Sequence, residues 1–221
     1  MIQHIQRIAV LLIPAAFILF LSFCSTAPET KDINQKPEAE EAGEVKTLEE
    51  IEKLIKAGDT GKAVELYEKY FSANPPTAED LLVYGMLLFN AGRIEDAREA
   101  VKKADRLEPG SREILYNLAL IEGTRGDTEA QREVLQRIID TYPRDADAHS
   151  SLGNLYLTAN KRKQAEESFL AALEADGDHL EARMGLGDVF FERGKYGEAF
   201  EEYDRVVSQS PEYAPAYSQR G

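Results

Sequence analysis

Four prolines lie on one regular ladder in the sequence. The sequence numbers of Pro75, Pro109 and Pro143 rise in steps of 34, Pro211 follows after twice that step, and Gly177 occupies the intermediate position. A fixed period of roughly 20–50 residues is typical of repeat proteins, in which each unit is one supersecondary structure that stacks on the next. The period therefore predicts an array of similar stacked units along most of the chain.

A second set of residues has the same period. Gly58, Gly92, Gly126 and Gly194 belong to it, and Asn160 stands where a fifth glycine would be. Glycine and asparagine tolerate the left-handed backbone conformation that ends many helices. We therefore predict a tight turn at each of these positions.

Small and bulky residues also alternate at this period. Gly85, Gly153 and Gly187 form one column, and a small residue followed by a bulky one, as in Ala165 and Phe169, forms another. Residues four apart lie on the same side of a helix. Small residues let two helix axes approach closely, and the prolines end the second helix because proline cannot continue its hydrogen-bond ladder. Each unit is thus predicted to be a pair of helices.

The pattern of large, small and proline positions resembles the tetratricopeptide repeat family. The resemblance implies an all-α fold, a right-handed α-solenoid of antiparallel helix pairs. The units that match most of the family pattern are 78–111, 112–145, 146–179 and 180–213. Residues 47–77 form a degenerate first repeat, since Ile51 replaces the small residue, and residues 214–221 are the start of a truncated further repeat. Thr47 and Glu50 are spaced as a capping box at the start of the first repeat.

The segment 1–23 is interpreted as a signal peptide. Ile8–Phe23 is almost wholly apolar, and at about 1.5 Å per residue it is shorter than the ~30 Å hydrocarbon core of a bilayer. The sequence from Leu21 to Cys24 resembles the lipobox of bacterial lipoproteins, which implies an acylated Cys24. Two alternatives stay open, namely ordinary secretion with cleavage after Ala27 and an uncleaved membrane anchor.

Residues 24–46 are predicted to be the acylated cysteine followed by a disordered acidic linker. The segment is rich in Pro, Glu, Ala and Lys and has few apolar residues, so it cannot bury enough apolar surface to order itself. Cys24 is the single cysteine, which excludes an internal disulfide. We expect an exported protein of the bacterial cell envelope, anchored by acyl chains and facing the periplasm or the cell surface.

The chain is strongly acidic, with a formal net charge of −14. An acidic solenoid repels the phosphate backbone, so the charge argues against nucleic-acid binding. Two interpretations of the carboxylates stay open: a solvated face that maintains solubility, or a surface that attracts a basic partner.

No catalytic constellation, cofactor motif or metal site is predicted. His149 is expected in the core or in a cap. His179 follows Asp176-Gly177-Asp178, which lacks the spacing of a calcium-binding loop and instead indicates a turn with an Asx cap.

The resemblance implies that the first helices of the units line a concave groove that holds peptide ligands. The groove residues implied in this sequence are Leu82, Met86, Phe89, Tyr116, Asn117, Leu120, Ser150, Asn154, Leu157, Met184, Asp188 and Phe191. Amides such as Asn154 can bond a peptide backbone, and methionine can grip apolar side chains. These positions hold no lysine or arginine, which argues against capture of a terminal carboxylate.

The preferred functional hypothesis is a non-catalytic, membrane-tethered scaffold that docks peptide segments or subunits during assembly of envelope complexes. The alternative is the N-terminal repeat array of a longer enzyme or transporter component with its active domain beyond Gly221. Self-association through an uncapped C-terminal end is a third hypothesis.

Overall fold

The computed structural model describes residues 38–211, with side chains from residue 47 onward. This part of the chain contains ten α-helices and no strand. Their bounds are α1 Glu38–Lys56, α2 Thr60–Ala73, α3 Ala78–Asn90, α4 Ile94–Leu107, α5 Arg112–Arg125, α6 Thr128–Thr141, α7 Ala146–Thr158, α8 Arg162–Ala175, α9 Leu180–Glu192 and α10 Tyr196–Gln209. The predicted signal peptide, Cys24 and the predicted start of a further repeat at 214–221 lie outside the described residues.

The helices form pairs that stack into an all-α solenoid, which confirms the predicted fold class. From α2 to α10, each helix packs on the next along the chain. The first helix of each unit, here called an A helix (α3, α5, α7 and α9), starts at the residue where the sequence period places the start of a unit. The second helix of each unit is called a B helix (α4, α6, α8 and α10).

The turns inside the helix pairs adopt the left-handed conformation that the glycine column predicts. Gly58, Gly92, Gly126 and Gly194 have φ between 73° and 77°, and Asn160 has φ 60°. Asn160 is the one described non-glycine residue with positive φ. The asparagine therefore replaces glycine at the same backbone conformation.

The prolines follow the ends of the second helices. Pro75 comes two positions after the end of α2, and Pro109, Pro143 and Pro211 stand at the same distance from the ends of α4, α6 and α10. Gly177 has this position after α8. The proline period thus marks the boundary between one helix pair and the next.

Small residues of the A helices face bulky residues of the B helices. A Cβ atom placed on Gly85 would lie 2.7 Å from Val101, and one on Gly153 would lie 2.7 Å from the ring of Phe169. Such distances are too short for a real contact, so glycine permits the close approach of the two helices within these pairs.

Helix α1 extends into the segment that is predicted to be a disordered linker. Helix α1 begins at Glu38 rather than after a cap at Thr47, so residues 38–46 are helical and not part of a disordered linker. The reason lies in the sequence EAEEAGEVK, because glutamate, alanine and lysine have high intrinsic helix propensity. A low apolar content prevents a segment from forming its own core, but it does not prevent a neighbouring helix from extending into it.

The apolar core is divided along the stack. One cluster runs from Ile51 in α1 to Ala148 in α7. A second joins α8 to α9 around Phe169, and a third joins α9 to α10 around Tyr203. Among the helices of residues 38–211, none is both long enough and apolar enough to cross a membrane.

Candidate protein-binding groove

Helices α3, α5, α7 and α9 provide the surface on which the implied groove residues lie. A helices of different units also touch, since α3 contacts α5 and α7 contacts α9. Counting from the first residue of each unit, positions 2, 6, 9 and 13 share one side of the A helix. We call these four positions in residues 78–213 the inner face.

The twelve implied groove residues differ in exposure. Leu82, Ser150 and Met184 are buried, with 7%, 3% and 7% of their surface exposed. Asn154 is exposed, and Phe191 is 51% exposed. The half-buried members are Met86, Phe89, Tyr116, Asn117, Leu120, Leu157 and Asp188.

The assignment of Leu82, Ser150 and Met184 to an open groove is therefore corrected. All three stand at the fifth position of their units, where the side chain turns into the protein interior. Leu82 belongs to the large apolar cluster and Met184 to the cluster around Tyr203. Their role is packing between helices, so a bound segment would not reach them.

Several of the accessible polar groups already have partners within the protein. The Asn117 side-chain amide donates to the Glu113 carbonyl oxygen at 2.9 Å. Tyr203 donates its hydroxyl hydrogen to Asp188 Oδ1 at 2.8 Å. Burial raises the pKa of Asp188, the Tyr203 hydrogen bond opposes this, and the charge of Glu192 raises the pKa further.

A hydrogen-bonded network lies beside the groove at the start of α7. The buried carboxylate of Asp145 accepts hydrogen bonds from Arg112 Nε at 2.5 Å, from the Tyr116 hydroxyl at 2.5 Å and from the Ala148 N–H at 3.0 Å. Burial opposes ionisation, but these three hydrogen bonds together lower the pKa of Asp145. The Tyr116 hydroxyl is thus tied to the residue that caps α7, and the Arg112 guanidinium lies 4.9 Å from the centre of its ring.

The network extends to the next unit through Asp147 and His179. Asp147 accepts from Arg112 Nη2 at 3.3 Å, and its other oxygen lies 3.1 Å from His179 Nε2. His179 Nδ1 accepts the Ala182 N–H at 3.1 Å and caps α9. Asp176 Oδ1 accepts the Asp178 N–H, so the predicted turn is present, but the cap of α9 is His179 and not an aspartate.

The network lines an open cleft of about 600 Å³ that includes Arg112, Tyr142, Asp147 and His179. The hydrogen bonds of this network join neighbouring units. Within the part of the chain that the structure describes, no three His, Cys, Asp or Glu side chains come together as a metal-binding group.

A regular column of acidic residues on the A helices is not among the predicted groove residues. Glu79, Glu113, Asp147 and Glu181 stand at the second position of the four units and recur with the repeat period. All four are exposed. Carboxylates at the start of a helix are common because they interact favourably with its dipole, so the sequence alone does not distinguish this column from ordinary helix stabilisation.

An aromatic patch lies where α9 meets α10. The rings of Phe191 and Tyr196 meet edge to face with centroids 5.3 Å apart. Tyr196 is 64% exposed and Phe200, one turn further along α10, is 45% exposed. The patch continues the apolar part of the groove at this end.

Stacked helix pairs with an accessible A-helix face define the class of α-helical repeat proteins that hold other proteins. The sequence matches the tetratricopeptide repeat family over residues 48–111, 85–146 and 150–214. The chain therefore belongs to this family, whose members are generally non-catalytic scaffolds for protein interactions.

Comparison with known proteins places the chain among relatives of diverse kinds. It is 26% identical over 134 residues to the type IV pilus assembly protein PilF of Pseudomonas aeruginosa, covering 61% of this chain and 52% of PilF. It is 24% identical over 173 residues to ETO1-like protein 2 of Arabidopsis thaliana, covering 76% of this chain and 18% of that protein. Among solved structures, the crystal structure of MamA superposes on the chain with a TM-score of 0.67 and a sequence identity of 25%. The match covers 75% of this chain and 96% of MamA. The chain thus spans about half of the length of PilF and less than a fifth of the length of ETO1-like protein 2.

Proposed function

We propose that the protein is a membrane-tethered, exported lipoprotein whose repeats dock peptide segments or subunits while an envelope complex assembles. The observation that carries the docking role is the accessible apolar strip along the inner face of the A helices. Met86 and Leu120 lie on this face, Leu157 and Phe191 border it, and the exposed amide of Asn154 lies among them. Apolar side chains provide affinity, and an amide next to them can bond the backbone of an extended segment.

The name of PilF supports the assembly part of the proposal, since that protein is described as assembling a type IV pilus. The chain spans 52% of PilF, so the role of the whole relative is transferred here as a proposal.

Crosslinking from inside the groove tests the docking role. A photo-crosslinking residue is placed at Asn154 in the full chain and, as the matched control, at the exposed Glu174 on α8. Light should attach a partner protein at position 154 but not at 174, and Met86→Asp should abolish that product. Equal products at both positions, or a product unaffected by Met86→Asp, would show that the groove is not the docking site.

The lipid anchor is tested separately by mass spectrometry of the mature N-terminus. We expect a chain that begins with an acylated Cys24, because the sequence from Leu21 to Cys24 resembles a lipobox. An anchor of two or three acyl chains would hold the protein stably on a membrane. An unmodified Cys24, or a start at Pro28, would contradict the anchor and leave the docking role intact.

A second candidate function is that the array is one part of a longer enzyme or transporter component. The observation in its favour is that the match covers 18% of ETO1-like protein 2. A stop codon directly after Gly221 in the reading frame would remove this candidate.

Self-association through the C-terminal end is a further proposal, supported by the exposed Phe191, Tyr196 and Phe200. Light scattering should show a mass that rises with concentration in the natural protein and stays monomeric after Tyr196→Ser. A monomer at all concentrations would exclude it.

A further inference from the structure

The inner face of the A helices carries charge of one sign. Its charged residues in the four units are Glu79, Glu113, Asp147, Glu181, Asp188 and Glu192. None of its positions holds lysine, arginine or histidine. The lysines of the array lie elsewhere, as Lys102 and Lys103 on α4 and Lys163 on α8 show. The A helices thus hold no lysine, and their arginines, Arg112, Arg125 and Arg183, stand outside the inner face.

The helix dipole accounts for only part of this pattern. Glutamate and aspartate at the second position stabilise the start of a helix, but the effect falls off within the first turn. Asp188 and Glu192 stand at positions 9 and 13 of α9, well beyond that turn. Beyond the first turn the acids of the inner face are confined to α9, and there the helix dipole does not account for them.

Neutralisation within the protein is also incomplete. Asp147 is paired with Arg112 and His179. Glu181 Oε2 lies 3.7 Å from Nδ1 of the same histidine, and Glu192 is paired with Arg162 at 2.8 Å. Each of these cations lies outside the inner face. Asp188 is half-buried, accepts a hydrogen bond from the neutral hydroxyl of Tyr203, and has a pKa that burial raises. A cation brought to this carboxylate would relieve the cost of its burial.

Aromatic and apolar side chains border the acids. Phe191 stands between Asp188 and Glu192 on α9 and is 51% exposed, with Tyr196 packed against its edge. The faces of such rings attract lysine and arginine. Leu120 and Leu157 continue the apolar strip towards the other units. The groove therefore combines sites for apolar side chains with sites for cations.

We propose that the segment held in this groove belongs to another protein and carries lysine or arginine residues among apolar residues. This proposal rests on the proposed docking function. Opposite charges steer such a segment to the groove and fix its register, while an acidic segment is repelled. The acidic surface thus selects the partner as well as keeping the protein soluble.

Three synthetic peptides of equal length test the selection. They share one apolar framework and carry lysine, glutamine or glutamate at the remaining positions, and binding to the purified full chain is followed by fluorescence anisotropy. The lysine peptide should bind most tightly and lose affinity as salt is added, because screening weakens exposed charge pairs. Equal affinity for the three peptides would overturn the proposal.

Charge reversal in the groove supplies the second test. The double variant Glu113→Lys and Glu181→Lys should weaken binding of the lysine peptide by about tenfold. The matched control reverses Glu133 and Glu174, exposed residues of the B helices, and changes the net charge by the same amount. It should change the affinity by less than about twofold, and an equal loss in the control would show that net charge alone attracts the peptide.

A third variant separates this proposal from the docking function on which it rests. Leu120→Asn removes apolar surface from the groove without changing charge. If it weakens all three peptides while charge reversal changes nothing, the groove binds proteins and the preference for a basic partner is wrong. If neither variant changes binding, the groove assignment itself fails.

Discussion

At the scale of single residues, Phe169 shows how closely the units are fitted. Its ring is fully buried between two glycines, Gly153 on its own unit and Gly185 on the next. A Cβ atom on Gly185 would lie 2.2 Å from Cζ of the ring. The ring cannot move away, because Gly153 lies in close contact with it as well.

Gly185→Ala is therefore expected to destabilise the protein by about 1–3 kcal/mol, the usual cost of overpacking a filled interior. Urea unfolding followed by circular dichroism measures this change. The matched control is Gly197→Ala in α10, where a Cβ atom would have no neighbour within 4 Å. The control should gain up to about 1 kcal/mol from the higher helix propensity of alanine. A gain in stability from alanine at both positions would contradict the close packing of the Phe169 ring against Gly185.

The sequence predicts the residues that repeat and misses those that do not. The turn glycines and Asn160 were predicted because the same backbone conformation recurs with the repeat period. Gly185 has no such signal, since its position holds Val83, Asn117 and Ser151 in the other units. Glycine is required at position 185 because the Phe169 ring of the preceding unit fills the space beside it. Contacts between units depend on particular pairs of residues, which periodicity does not encode.

Gly123 is a second example of such a pair. Position 20 of the unit 112–145 holds Gln131 in place of the usual alanine. A Cβ atom on Gly123 would lie 2.6 Å from Nε2 of Gln131, so the glycine makes room for the larger side chain. Gly123 thus compensates locally for the larger side chain of Gln131. The repeat pattern of a single sequence does not show this compensation.

At the scale of helices, ion pairs between units add to the apolar contacts. Glu122 of α5 is 1% exposed and accepts from Arg98 of α4 at 2.7 Å and from Arg125 at 2.5 Å. Asp145 has the same role between α5 and α7, with Arg112 and Tyr116 as donors. Such buried carboxylates are costly when they lose their partners, so they favour one register of stacking.

The Asp145 network predicts a dependence of stability on pH. Its folded-state pKa lies below the unfolded value of about 3.9. Its contribution is therefore complete above the unfolded pKa and is lost as the pH falls through the folded pKa. Asp145→Asn keeps an acceptor for the Ala148 N–H but loses the charge, and should cost about 1–3 kcal/mol at neutral pH.

Urea unfolding of both proteins from pH 7 down to pH 2 measures this difference. The difference between natural protein and variant should be constant above about pH 5 and shrink below about pH 4. A difference that persists unchanged to the lowest pH would show that the charge of Asp145 is not the stabilising feature.

At the scale of the whole molecule, the helix-pair fold follows from the sequence period while the start of α1 does not. The period specified helix pairs, turns and the ends of the second helices. The period does not predict that α1 extends back to Glu38, because the intrinsic helix propensity of residues 38–46 acts outside the repeats. The sequence period also does not predict the burial of Leu82, Ser150 and Met184, because it depends on the spacing of neighbouring units.

The divided core predicts that the array does not open as one unit. Buried side chains of α10 belong to a cluster formed by α9 and α10 alone, whereas those of α5 belong to the cluster that runs from α1 to α7. In a stack, stability is a sum over units and their interfaces. We therefore expect amide hydrogens of α10 to exchange through a local opening that requires less free energy than the opening of α5.

Two cavity-forming variants, followed by hydrogen exchange and mass spectrometry, distinguish local from global opening. Val206→Ala, at a fully buried position of α10, should speed exchange in α9 and α10 and leave α3 to α6 unchanged. Leu115→Ala, at a fully buried position of α5, should cost about 2–5 kcal/mol and speed exchange through the units around it. If Val206→Ala speeds exchange equally in all helices, the array unfolds as a single cooperative body and the division of its core has no energetic consequence.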